Sequence, residues 1–231
     1  MKNILNSIKD HPQQDEILKQ IQYGQSKQKH LRPLFKAFIE ILDSESIPYS
    51  IAFGTLLGCI RHGMEIPWDD DYDIHILKKH AKLLLSLNLP KLDKTKMEFP
   101  DFGKKKKIIS AYKIEIKKNS AENYLFFVKT PWNFIQVFLC QGMNEKPIKI
   151  LDIFHERWFG KKWITKKSMF PLLKKQMSGM TVNVMNDWEH YLPKRFSDNW
   201  KYECIVSNHT IETVFKGKNK KLISFELKEI I

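Results

Sequence analysis

The sequence predicts an α+β fold, a mixed β-sheet flanked by helices. Three observations carry that expectation. Leu31, Leu34, Phe35, Phe38, Ile41 and Leu42 recur at helical spacing within 12–45. Short apolar runs with polar joints follow one another between 108 and 154. Between these regions, Asp71-Tyr-Asp-Ile-His-Ile-Leu77 alternates acidic or polar with apolar residues, the pattern of a half-buried strand.

Taken in order, the first helix runs over 12–45 and ends before Pro48, because a proline drives its predecessor out of helical geometry. Tyr49-Ser-Ile-Ala-Phe53 reads as a short buried strand. Gly54-Thr55 breaks it, and Leu56 to Arg61 forms a short helix. Ile66-Pro-Trp68 is a loop. The Asp71–Leu77 strand leads into a helix at 78–88 that Asn88 and Pro90 close, and then a basic loop at 91–107. IISAYKIEI (108–116), YLFFV (124–128), FIQVFLC (134–140) and IKILDIF (148–154) follow as strands. The joints KKNSAEN and QGMNEKP between some of them predict hairpins of an antiparallel sheet. From about 160 the chain is mixed and rich in aromatics. No linker or repeat divides it, so 1–231 reads as one domain: a helical segment (1–45), a core (46–200) and a basic tail.

Composition excludes several classes. With 42% hydrophobic and 12% aromatic residues among 231, the chain has enough apolar material for a packed core and is not globally disordered. Cys59, Cys140 and Cys204 are odd in number and widely spaced, which fits neither a disulfide framework nor a zinc site and favours a reducing compartment. The opening MKNILNSIKDHPQQDE lacks an apolar signal region. The longest nearly apolar stretch, Tyr49 to Ile60, is too short to span a bilayer. A cytoplasmic protein without a transmembrane segment is expected. The net charge is +13, yet only four of the 39 cations are arginine: Arg32, Arg61, Arg157 and Arg195. Lysines spread through runs such as 104–107 and 216–221 make a diffuse attraction for polyanions, and specific nucleic-acid readout is not expected.

The chemistry concentrates in 53–77, which holds three of the nine glycines and the aspartates Asp69, Asp70, Asp71 and Asp73. Such a cluster repels itself unless a positive charge sits in it. On a strand, Asp71 and Asp73 point to one face and offer hard oxygen ligands for Mg²⁺ or Mn²⁺. A glycine after a strand lets backbone N–H groups approach a phosphate, so Gly54 and Thr55 are candidates for a phosphorylated donor, with Arg61 and His62 one or two turns on. Asp152, a lone charge in the apolar run Ile150-Leu-Asp-Ile-Phe154, is the candidate third carboxylate for metal and for proton transfer from an attacking hydroxyl. An EF-hand starting at Asp69 fails, because Ile74 and His80 stand where Gly and Glu are needed.

The order strand, Gly-Thr, helix, loop, Asp-x-Asp strand, later Asp resembles the nucleotidyltransferase superfold. More narrowly, GTLLGCIRHGMEIPWDDDYDI (54–74) resembles the signature of the LicD family, which includes bacterial phosphocholine transferases and is related to fukutin-type ribitol-phosphate transferases. Ile-Leu-Asp-Ile-Phe154 is similar to the family's later acidic strand. Two departures stand out. Gly63-Met64-Glu65 replaces the family's Lys-Gly-Phe, and Arg195-Phe-Ser-Asp-Asn-Trp200 lacks the usual Tyr-Gly pair before its Trp. The resemblance implies a metal-dependent phosphotransferase using a CDP-linked alcohol donor and a glycan hydroxyl acceptor, with CMP released. It implies Asp71, Asp73 and Asp152 at the metal and Gly54, Thr55 and Arg61 on the donor phosphates. Two other readings stay open on the residues: a nucleotidyltransferase that leaves its nucleotide on the acceptor, and a non-catalytic basic polyanion-binding module.

Overall fold

The computed structural model describes residues 1–86, 113–118, 124–129, 134–143, 146–150, 164–207 and 222–228. Helix α1 (Lys2–Ile8) precedes the long α2 (Gln14–Ser44). Of the apolar stripe that the spacing of α2 predicts, Leu31, Leu34, Phe35, Phe38 and Leu42 are buried, whereas Ile41 is half-buried and Ile39 is buried beside them. Pro33 lies inside α2 and lacks an N–H, so packing of this stripe, rather than backbone propensity, carries the helix past it. Phe35 stacks on Tyr72 with ring centroids 4.1 Å apart and planes 8° from parallel, joining α2 to the sheet.

Strand β1 (Tyr49–Ile51) is followed directly by α3 (Phe53–His62), and then by β2 (Tyr72–Leu77). The helix begins three residues earlier than the sequence predicts. Phe53 takes φ 44°, a left-handed conformation that turns the chain straight from strand into helix and places Gly54 and Thr55 in the first helical turn. A 3₁₀ turn (Lys78–His80) and α4 (Ala81–Ser86) close this half. Strands β3 (Lys113–Lys118), β4 (Tyr124–Lys129), β5 (Phe134–Met143), β6 (Lys146–Ile150) and β7 (Ile164–Thr165) complete the main sheet. Its order is β1-β2-β5-β4-β3, with β6 beside β5 and β7 beside β6. β2 and β5 run parallel, Asp73 opposite Gln136, and the other pairs are antiparallel. The sheet is therefore mixed, and the fold is α+β.

Strand β2 departs from the half-buried expectation: Tyr72 to Ile76 are all buried. The Tyr72 face lies under Phe35 of α2. On the Asp73–His75 face, Phe53 meets the His75 ring edge-on, with centroids 5.1 Å apart. A strand covered on both sides brings its acidic residue inside with it.

Helix α5 (Lys166–Met169), the hairpin β8 (Leu173–Met177) and β9 (Met180–Val184), helix α6 (Trp188–Arg195), and the hairpin β10 (Glu203–Ser207) and β11 (Leu222–Glu226) follow. Trp68 seats against the second hairpin, 5.5 Å from the Phe225 ring, and donates its indole N–H to the Ile205 carbonyl at 3.0 Å. Among the described residues no helix is long and apolar enough to cross a membrane.

One glycine sets how closely α2 meets the loop before β2. A Cβ added at Gly24 would stand 2.5 Å from the Pro67 carbonyl oxygen and 2.6 Å from the Trp68 Cα. Both atoms are backbone, so neither can swing aside. Gly24→Ala is expected to cost about 1–3 kcal/mol by overpacking, against a helix-propensity gain of about 1 kcal/mol. Urea unfolding checks this; a variant as stable as the native chain would mean the loop moves without penalty.

Candidate active site

The acidic loop 66–71 is held from two sides before any ligand arrives. From α2, the buried Gln28 donates its amide N–H to the carbonyls of Ile66 at 2.6 Å and Asp69 at 2.9 Å. At the loop's start, Glu65 is the meeting point of three elements. Arg32 of α2 donates to both its oxygens at 2.9 Å, Ser178 of the β8–β9 turn donates at 2.5 Å, and the Tyr72 hydroxyl donates a short bond. Burial alone would raise the Glu65 pKa. The donors Arg32, Ser178 and Tyr72 outweigh it and hold the carboxylate below its usual value.

On this scaffold, single carboxylate oxygens from Asp69, Asp70 and Asp71 come within 4.8 Å of one another. Asp69 lies over the first turn of α3: a Cβ at Gly54 would be 2.5 Å from its Oδ2. The N-cap residue of that helix, Ala52, offers no side-chain cap, and the positive end of the helix dipole lies at this turn. Asp73 is only 8% exposed. Its backbone N–H donates to Thr55 Oγ1 at 2.8 Å, and its carbonyl accepts from the Ala52 N–H at 2.9 Å, which pins β2 to the α3 start. Burial, with the charges of Asp71 and Asp70, pushes the Asp73 pKa well up. Burial, with Asp73 and Asp70, does the same for Asp69.

Cations from distant stretches flank the cluster. Tyr23 of α2 donates its hydroxyl to the Asp70 carboxylate, and burial together with that neighbour pushes its pKa up to about 12. The buried Lys27, 5.3 Å from the Tyr23 ring centroid, also faces Asp70; burial lowers its pKa and Asp70 opposes that. The charge of Arg195 of α6, which hydrogen-bonds Tyr191, acts on Asp73 and counters the rise of its pKa. An all-oxygen donor set, partly buried and self-repelling, fits a hard divalent cation.

The sequence-predicted residues divide. Asp71, Asp73, Gly54 and Thr55 come together at the α3–β2 junction. Arg61 and His62 do not join them. Arg61 is buried, donating to the carbonyls of Trp200 at 3.0 Å and Glu203 at 2.8 Å and to His62 Nε2 at 3.0 Å. His62 is an acceptor there, and burial plus the Arg61 charge lowers its pKa to about 3, so it stays neutral. These two residues lie at the far end of α3 from Gly54, where they secure the C-terminal segment, not a phosphate. Thr55 Oγ1 already accepts a backbone bond. Asp152 lies outside the described residues. The sequence-derived ligand set omitted Asp69 and Asp70, although both stand in the same acidic run, and passed over Tyr23, Lys27 and Arg195. Of these three only Arg195 carried a signal, as one of four arginines in a lysine-rich chain.

A model of the LicD/FKTN/FKRP nucleotidyltransferase domain matches residues 46–187. The chain belongs to the LicD family. The matched segment contains the acidic loop, α3 and β2, whereas Tyr23, Lys27, Gln28 and Arg195 lie outside it. An uncharacterised protein of Rickettsia prowazekii is 28% identical over 214 residues, 92% of this chain and 71% of that protein. An uncharacterised protein of Rickettsia typhi is 26% identical over 219 residues, 92% of this chain and 60% of that protein. Mannosyltransferase regulator 4 of Saccharomyces cerevisiae is 33% identical over 60 residues, 26% of this chain and 5% of that protein. LicD membership points to a transferase with a phosphotransferase-like, glycan-modifying role.

Proposed function

We propose that this LicD-family chain transfers a phosphorylated alcohol from a CDP-linked donor to a glycan hydroxyl and releases CMP, with Mg²⁺ or Mn²⁺ held at the aspartate cluster. The observation that carries the reading is the grouping of the Asp69, Asp70 and Asp71 carboxylates, with Asp69 over the first turn of α3 and Asp73, joined to Thr55 by its backbone, within reach of their charge, all inside the family-matched segment. A cluster that raises its own proton affinity is costly to keep unless a cation relieves it. When bound, a divalent ion supplies positive charge to the pyrophosphate oxygens of the donor and to the leaving CMP.

The chain's own residues do the rest. Asp71 and Asp73 hold the ion, with Asp69 and Asp70 adjoining. Gln28 and Glu65 fix the loop so that little reorganisation is needed when the donor arrives. The first turn of α3, around Gly54, is proposed to receive phosphate oxygens at its positive end. Asp152 is proposed as the further carboxylate that takes the proton from the attacking hydroxyl.

The test is a screen of CDP-choline, CDP-ribitol and CTP for metal-dependent release of CMP or pyrophosphate. The expected result is CMP from at least one CDP-linked alcohol, abolished by EDTA and in Asp71→Ala. Pyrophosphate from CTP instead would make the chain a nucleotidyltransferase. Mg²⁺ should also raise the thermal midpoint of the native chain and leave Asp71→Ala unmoved.

A further inference from the structure

We propose that Arg195 is a phosphate-binding residue of this site, its guanidinium receiving non-bridging oxygens of a pyrophosphate group. Three placements support it. Arg195 sits at the C-terminal end of α6, and its charge acts on Asp73 of β2. Its guanidinium carbon is 5.1 Å from the Phe53 ring centroid and 5.0 Å from that of Phe196, so aromatic faces restrict its orientation. Phe53 is the first residue of α3, next to Gly54, over which Asp69 lies. The guanidinium thus borders the first residue of α3, and its charge acts on Asp73. A pyrophosphate bridging a cation at the aspartates and the N–H groups of α3 would meet it.

Arg61 is 3% exposed and donates to two carbonyls. Arg195 is only partly buried, hydrogen-bonds Tyr191, and its charge acts on Asp73. Planar forked donors suit phosphate oxygens better than an ammonium does. The LicD resemblance implies a phosphate role for Arg61; here that role goes to Arg195 instead.

The inference rests on the proposed reaction in taking the ligand to be a pyrophosphate ester, and the experiment separates the two. Binding of inorganic pyrophosphate in the presence of Mg²⁺, and of Mg²⁺ alone, is measured by calorimetry on the native chain, Arg195→Gln and Arg195→Lys. CMP release from CDP-linked alcohols is followed in parallel. Arg195→Gln is expected to weaken pyrophosphate roughly ten- to hundredfold, with a smaller loss in Arg195→Lys, which keeps the charge but not the fork. Mg²⁺ affinity should stay level or tighten, because a cation beside Asp73 has been removed. That opposed pair of changes is one that a merely structural role would not produce.

Pyrophosphate affinity within about twofold of native in both variants would overturn the inference. So would joint loss of Mg²⁺ and pyrophosphate binding, or a native chain that binds no pyrophosphate. If Arg195→Gln weakens pyrophosphate while no CDP-linked alcohol yields CMP, the inference stands and the proposed reaction falls. If CMP forms and pyrophosphate affinity is unchanged, the reverse holds.

Discussion

Asp73→Asn is expected to lower CMP release on the order of a thousandfold and at the same time to raise the melting temperature of the metal-free protein. The second effect follows from the sign of the electrostatics. Asp73 and Asp69 have folded-state pKa values raised above 3.8 by burial and by their acidic neighbours. A raised carboxyl pKa means that the folded chain holds the proton more tightly than the unfolded one. Stability therefore falls as the pH climbs from the unfolded value through the raised one. In EDTA the native chain should melt higher near about pH 5 than near about pH 8 as far as these groups decide it. Asp73→Asn should shrink that difference, and saturating Mg²⁺ should shrink it in the native chain. Each kcal/mol recovered moves the midpoint by about 2–4 °C in a chain of this size. A metal-free midpoint lowered by Asp73→Asn would contradict the account, because it would mean the carboxylate stabilises the fold without a cation.

Glu65→Ala is expected to have the largest effect on stability, about 2–4 kcal/mol in urea unfolding. The figure is set below that for a fully buried ion pair because the Arg32 side chain is 39% exposed and regains water when its partner leaves. Tyr72 and Ser178 lose their acceptor together with Arg32. The pH dependence has the opposite sign to that of Asp73. The folded-state pKa of Glu65 lies below 4.5, so its contribution is present above that value and is lost as pH falls through the depressed one. Glu65→Gln should accordingly flatten the acid limb of the stability curve. A cost under about 1 kcal/mol for Glu65→Ala would show that the loop is held by Gln28 and packing alone.

These two residues also show what a linear sequence conveys. The acidic strand, most of the apolar stripe of α2 and the glycine-threonine pair announce themselves by spacing, although the strand starts at Tyr72 and the pair lies within the helix and not ahead of it. Glu65 did not. It stood out only as part of a departure from Lys-Gly-Phe, whereas its partners are Arg32, Tyr72 and Ser178, which no local pattern links. Arg61 misled for a related reason. Proximity to the glycines in the chain says nothing about which end of α3 meets the acidic loop, and the helix carries its arginine to the opposite end. The two-sided burial of β2 was hidden too, because alternation describes one strand and not what α2 and Phe53 lay upon it.

The Arg61 anchorage bears on where this domain can be cut. An excised fragment with the family-matched limits 46–187 would keep every aspartate of the acidic run. It would strand a guanidinium in the interior without the carbonyls of Trp200 and Glu203, and it would strip Gln28 and Arg32 from the loop. Catalytic vocabulary and architectural support thus have different boundaries in this chain. Transplanting the motif into another scaffold would need the flanking helix and the terminal hairpin to travel with it.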